Sequence, residues 1–242
     1  MKLLYVQPDS IGVFNGHMQM LVNQAKSSSS TIDVINLRYE PRVANLPSKP
    51  VYMQAFFDEL IRAERDAYDA VIMGCYADPG VREGKSLVRI PVLGAMQLGI
   101  HAASLLGKRI CVLAPADKEG RRRRHLSWHW DHVHMYGIRP EIATFRKVPL
   151  DRPSTEEVHR LLVEGRDREL PELIIDPHRM SVQGVASSII RRAIDEDDVD
   201  VVLPACTLWG GMGLQMKRCF GIPVVDPVYS IVRLAEALVQ SS

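Results

Sequence analysis

The chain has 242 residues, 46% of them hydrophobic, 24% charged and 6% aromatic, an ordinary globular composition that excludes disordered, collagen-like and low-complexity architectures. Its 30 basic residues nearly cancel its 29 acidic ones, leaving +1, so no global field points to nucleic acid or an anionic membrane. No apolar run reaches the roughly 18–20 residues of a membrane span, and the four cysteines at 75, 111, 206 and 219 form no CxxC pair, which suits reduced thiols in a cytoplasmic protein.

The first predicted element is a strand, Lys2-Leu3-Leu4-Tyr5-Val6, which runs into the loop Gln7-Pro8-Asp9-Ser10. Its apolar stretch is too short for a signal peptide. The serines at 27–30 mark a loop, and a helix is expected over 52–67, where Phe56, Phe57, Leu60, Ile61, Ala63 and Ala67 recur at helical spacing. Asp69-Ala70-Val71-Ile72-Met73-Gly74-Cys75 predicts a strand buried on both faces, the pattern of parallel sheets. A turn follows at 76–80, then a strand at 90–94 and an apolar helix at 95–106.

From Gly107 the order begins again. Arg109-Ile110-Cys111-Val112-Leu113-Ala114-Pro115 repeats the first strand at an offset of 107. After a polar, irregular stretch around 116–180, a helix is expected at 182–195, then the strand Asp200-Val201-Val202-Leu203-Pro204-Ala205-Cys206. Aspartate precedes cysteine by six residues in both copies. Ile222-Pro223-Val224-Val225-Asp226 repeats the 90–94 strand, and a last helix covers 228–239. Three matches in the same order indicate an internal duplication. The expected fold is α/β: two similar Rossmann-like lobes with parallel sheets, related by pseudo-two-fold symmetry, with the active site in the cleft between them. The first lobe is expected to hold residues 1–107 plus 226–242, and the second 108–225.

Ligands of open parallel sheets bind beyond the carboxyl ends of the strands. Cys75 and Cys206 both stand at such an end, followed by turn residues and glycines that let backbone amides approach a ligand. Two facing thiols suit one chemistry in particular. A thiolate takes a proton from a carbon acid on one face, and a thiol returns one on the other. Amides or a helix N-terminus can bring a thiol's pKa toward neutrality, where acid–base catalysis works best. The enolate between the two steps needs preorganised N–H donors. The scheme calls for no metal and no organic cofactor. Cys111 is expected in the core, and Cys219 has no assigned role.

The blocks around these residues resemble the aspartate/glutamate/hydantoin racemase superfamily. Gly74-Cys75-Tyr76-Ala77-Asp78-Pro79-Gly80 is similar to the first cysteine block of its hydantoin racemase branch. Ile90-Pro91-Val92-Leu93-Gly94 is similar to the strand that follows there, and Cys206-Thr207 to the second Cys-Thr block. Gln7-Pro8-Asp9-Ser10 resembles the N-terminal substrate loop, with Gln7 and Asp9 in place of asparagines. The resemblance implies Cys75 and Cys206 as the acid–base pair, with Pro8, Asp9, Ser10, Tyr76, Ala77, Thr207 and Leu208 at the substrate. It implies a cofactor-independent racemase or epimerase acting beside a carbonyl, on a 5-substituted hydantoin or an amino-acid derivative. Cis–trans isomerases and decarboxylases of small dicarboxylates share the scaffold, and a two-lobed binding protein without catalysis is a further alternative. The decarboxylases keep only the second-half thiol, so Cys75 argues against them.

His125, His129, His132 and His134 cluster with Trp128, Trp130 and Asp131, and His125 and His129 have a metal-compatible spacing. With no second ligand set in view, a flap or interface helix is the stronger expectation. The arginine run 121–124 suits a solvated helix face. Asp78 is expected to shape the turn after Cys75, and Asp69 and Asp200 to cap or start strands. The partners expected are a small-molecule substrate and a second copy of the chain, with neither nucleic acid nor membrane.

Overall fold

The computed structural model describes residues 1–40, 49–116, 134–138 and 143–241. The first half runs β1 (Lys2–Gln7), α1 (Asn15–Ala25), β2 (Thr31–Asn36), α2 (Lys49–Arg65), β3 (Ala70–Met73), a short α3 (Val81–Gly84), β4 (Val92–Gly94) and α4 (Ala95–Leu106). Its four strands form a parallel sheet in the order β2-β1-β3-β4. The second half runs β5 (Ile110–Ala116), β6 (Ala143–Pro149), α5 (Thr155–Val163), α6 (Leu170–Gln183), α7 (Val185–Asp197), β7 (Val201–Pro204), α8 (Gly213–Phe220) and α9 (Tyr229–Gln240). Its sheet is parallel in the order β6-β5-β7, and Val224 bridges in parallel to Val202 in the place that β4 takes in the first sheet.

The two sheets repeat in register as well as in order. Leu3 pairs with Ala70 as Ile110 pairs with Val201. The amide after each cysteine-bearing strand returns to its neighbour strand, Gly74 N–H to Val6 O and Ala205 N–H to Leu113 O, both at 2.8 Å. The paired aspartates do equivalent work: Asp69 accepts the Lys2 amide at 2.6 Å, and Asp200 accepts the Lys108 and Arg109 amides at 2.9 Å. Each carboxylate thus pins the start of a central strand.

Both faces of the sheets are apolar, as the unbroken strand runs require. Leu3, Tyr5 and Ile72 of the first sheet and Ile110, Val112, Val201 and Leu203 of the second share one core with α1, α4 and α9. Leu4, Val6, Val71 and Met73 face outward onto Tyr52, Phe56, Leu60 and Ala63 of α2. Cys111, Leu113 and Val202 do the same onto α7 and Met216 of α8. Each fully buried aliphatic or aromatic side chain here contributes about 1.5–3 kcal/mol. Glu236 of α9, 4% exposed, accepts the Ser27 amide at 2.9 Å and its hydroxyl at 3.0 Å, tying the last helix to the serine loop after α1.

A carboxylate and a glycine trade places between the halves. In the first, Asp78 presses on Gly94, where a Cβ would lie 2.3 Å from the carboxylate. In the second, Asp226 stands in the position of Gly94 and presses on Gly213, where a Cβ would lie 2.9 Å from the Asp226 Cβ. Asp226 accepts the Gly213 amide at 3.0 Å and the Val228 and Tyr229 amides at 3.0 and 2.8 Å, so it joins the starts of α8 and α9.

Three expectations need correction. The stretch 116–180 is not irregular throughout: it holds β6, α5 and most of α6. The helix expected at 182–195 is two helices, because Gly184 leaves helical geometry (φ −119°, ψ −112°) and its amide bonds to Ser181. The strand expected at 222–226 shrinks to one bridge, because the chain turns at Asp226 to cap the two helices. No helix among the described residues is long and apolar enough to cross a membrane.

Candidate active site

Cys75 follows the carboxyl end of β3 and keeps partial solvent exposure. The Ala77 amide points back at its sulfur at 3.5 Å, a contact that favours thiolate. Asp78 turns the chain with φ +40°, its amide bonding to the Cys75 carbonyl at 2.9 Å. Its carboxylate, 3% exposed, caps α4 through the Met96 and Gln97 amides at 2.9 and 2.8 Å and accepts the Tyr136 hydroxyl at 2.6 Å. Asp78 is therefore a turn and cap residue, and it locks the loop that carries Cys75.

Burial pushes the Asp78 carboxyl up to about 6 against the opposing pull of those hydrogen bonds. The folded state holds this proton more tightly than the unfolded chain, so its stabilising effect fades as pH rises from about 4 to about 6. Across that interval the unfolding free energy of the parent is expected to fall by roughly 2 kcal/mol more than that of Asp78→Asn. Urea denaturation at each pH checks this; parallel profiles contradict it.

Cys206 follows β7 at the equivalent place and also keeps partial exposure. Its sulfur lies 3.7 Å from Nε2 of His178 on α6. The other ring nitrogen, Nδ1, is 2.7 Å from the Ile174 carbonyl, which accepts only, so Nδ1 carries the proton and Nε2 accepts from the thiol. Burial, and next the charge of Arg152, hold His178 down to about 3, so the ring is neutral. Trp209 fixes it: the two rings meet edge-on at 5.2 Å, and Trp209 Nε1 donates to the His178 carbonyl at 3.1 Å. Burial raises the Cys206 thiol, while the Leu208 amide and Arg152 pull it down. Each sulfur thus receives the amide two residues on, a further echo of the duplication.

The two cysteine blocks meet. The Thr207 hydroxyl donates to the Gly74 carbonyl at 3.3 Å, joining the residue after Cys206 to the residue before Cys75. The N-terminal loop closes against the same region. Asp9, 6% exposed, spends Oδ1 on the Ile11 and Gly12 amides at 3.2 and 2.8 Å, and burial raises its carboxyl. Tyr39 donates to the Pro8 carbonyl at 2.8 Å and interacts with the Ser10 side chain. Ile11, Val13 and Phe14 pack under Val158 and Leu161 of α5 and Leu170, Ile174 and Ile175 of α6, together with Leu208. The helical segment of the second half therefore roofs the first loop and delivers His178 to Cys206.

Tyr76 and Ala77 are each 2% exposed and Thr207 is 8% exposed, and Tyr76 packs in the central core. Cys111 is buried in the core and Cys219 is exposed on α8, apart from these blocks. His125, His129, His132, Trp128, Trp130, Asp131 and the arginine run 121–124 lie outside the described residues, while His134 is exposed. Among the described residues no group of three or more His, Cys, Asp or Glu side chains could hold a metal ion.

Several residues here escape inspection of the sequence. His178 stands 28 residues before Cys206, and its one signal is a polar side chain on the apolar face formed by Leu170, Ile174, Ile175 and Val182. Arg152 carries no motif. Tyr5, Tyr39 and Tyr52 all feel the charge of Cys75, yet in the sequence they are ordinary core aromatics.

A family model described as Asp/Glu/Hydantoin racemase matches residues 15–235. Hydantoin racemase of Paenarthrobacter aurescens is 24% identical over 251 residues, spanning 99% of this chain and 91% of that protein. Hydantoin racemase of Pseudomonas sp. (strain NS671) is 22% identical over 240 residues, spanning 99% and 86%. The solved structure of allantoin racemase from Klebsiella pneumoniae superposes with a TM-score of 0.74 at 17% identity, covering 100% of this chain and 88% of that one, a likeness of fold.

Proposed function

The chain belongs to the Asp/Glu/hydantoin racemase family and is an isomerase of the racemase type, and from that premise we propose that it inverts a carbon acid with Cys75 and Cys206 as a two-thiol acid–base pair. The substrate class is a 5-substituted hydantoin or a close relative such as allantoin, the compounds named for its relatives. One observation carries this reading: two partly exposed cysteines at equivalent strand ends, each with an amide aimed at its sulfur, on blocks joined by the Thr207–Gly74 bond.

The ring carbon C5 of a hydantoin lies beside a carbonyl, so its proton leaves as an enolate forms. Cys75 as thiolate takes that proton from one face. Cys206 starts as the thiol, because burial disfavours its charge and His178 Nε2 accepts its S–H. Rotation about Cβ–Sγ swings that proton to the opposite face of C5. The opposite hand runs the same steps with the sulfurs exchanged. His178 stays neutral and acts as a positioning residue.

The test is circular dichroism or optical rotation over a panel of single-enantiomer 5-substituted hydantoins, allantoin and free amino acids. Loss of rotation without change of mass is expected for the cyclic ureides. Activity confined to free amino acids moves the substrate class, and isomerisation of maleate or decarboxylation of a malonate without racemisation contradicts the reading.

A further inference from the structure

Tyr5, at the middle of β1, is 0% exposed; its buried hydroxyl makes no hydrogen bond of good geometry, and the Thr207 side chain is the polar group that interacts with it. A Cβ at Gly74 would lie 2.2 Å from its ring and 2.8 Å from its hydroxyl oxygen, so the phenol tip rests on the backbone immediately before Cys75. Thr207, immediately after Cys206, donates to the carbonyl of that same Gly74 at 3.3 Å. The hydroxyl therefore stands at the seam where the two cysteine blocks touch, and both sulfurs act on it electrostatically. Phenylalanine would fill the same space without the penalty of an orphaned polar atom, and an unsatisfied buried group calls for a reason.

The two-thiol scheme leaves a task undone. An enzyme that begins a turnover as Cys75 thiolate and Cys206 thiol ends it as Cys75 thiol and Cys206 thiolate. The next substrate of the same hand cannot react until that proton is returned. We propose that Tyr5 returns it: the phenol gives its proton to the Cys206 thiolate as it receives one from the Cys75 thiol. One S–H bond breaks, one forms, the phenol is unchanged, and no electrons are exchanged with any co-reactant. Burial and the neighbouring sulfurs hold the phenol's own proton well above the usual range, so it relays without ionising. This inference rests on the functional reading above.

The experiment is a set of progress curves for the parent and Tyr5→Phe from a single enantiomer at rising substrate concentration. Slow return makes the wrong-handed enzyme form accumulate, so the net rate falls once substrate is high. In Tyr5→Phe, kcat/KM at low substrate is expected within about twofold of the parent, while the fall sets in at roughly tenfold lower substrate. Thermal unfolding of the variant is expected close to the parent's, because the hydroxyl makes no hydrogen bond of good geometry. An onset unchanged from the parent, or none in either protein, overturns the relay. So does an equal loss of rate at every concentration, which assigns the hydroxyl to the substrate or the fold. A parent that racemises no substrate on the panel overturns the functional reading and the relay with it; an active parent with an unaltered variant overturns the relay alone.

Discussion

Replacing Cys75 or Cys206 with serine lowers kcat/KM for racemisation by about 10³-fold each, a loss within the range general acid–base groups supply. Serine keeps the size and the turn but offers a hydroxyl whose pKa lies far above a thiol's, so no usable base forms. Both residues are partly exposed and neither is a centre of the core, so the loss is not one of folding. The equilibrium constant of a racemisation is unity, so kcat/KM falls equally for both hands whichever cysteine is changed. Proton exchange at the substrate's carbon need not fall equally, because one remaining thiol still serves one face. Circular dichroism from each pure enantiomer measures the loss. Either single variant within about threefold of the parent removes that thiol from the chemistry.

His178→Phe is expected to cost about 10²-fold in kcat/KM with little change in KM. Phenylalanine preserves the edge contact with Trp209 but deletes the Nε2 acceptor 3.7 Å from Cys206. The thiol then loses the partner that orients it. A structural role alone would not move the pH profile, so that profile discriminates. Because His178 is held down to about 3, the parent shows no limb from imidazole near neutrality. Its alkaline limb belongs to Cys206, which burial raises above an ordinary thiol. That limb shifts in His178→Phe and returns toward the parent's in His178→Gln, whose amide oxygen reaches the Nε2 position. A profile identical in all three proteins contradicts the role.

The fold was legible because duplication writes the same physics twice. The apolar strand runs, the aspartate six residues before each cysteine, and the glycines and prolines at strand ends all reflect backbone constraints local to the sequence. Asp69 and Asp200 pin strand starts because they lie beside the strands they serve. The exchange of Gly94 for Asp226 between the copies was visible as a mismatch, but its meaning needed space: each of Gly94 and Gly213 is the room that the carboxylate of its own half fills. The cysteines were legible for the same reason as the strands. His178 and Tyr5 were not. His178 reaches the Cys206 sulfur, and Tyr5 the backbone before Cys75, through contacts between elements distant in the chain, and each sits on an apolar face where a histidine or tyrosine is most often core. The helical roof was missed because α5 and α6 carry charge on their outer faces and Pro177 interrupts the pattern of α6.

The central claim is that two different groups handle the proton on opposite faces of one carbon. The direct measurement is a single turnover of one enantiomer by excess enzyme equilibrated in deuterium oxide, stopped at early conversion, with each enantiomer separated and its deuterium content read by mass spectrometry. The account predicts product fully labelled at the stereocentre and remaining substrate still carrying hydrogen, because the thiol that takes the proton is not the one that gives it. Deuterium entering substrate as fast as product, or product that keeps the substrate's own hydrogen, would contradict it.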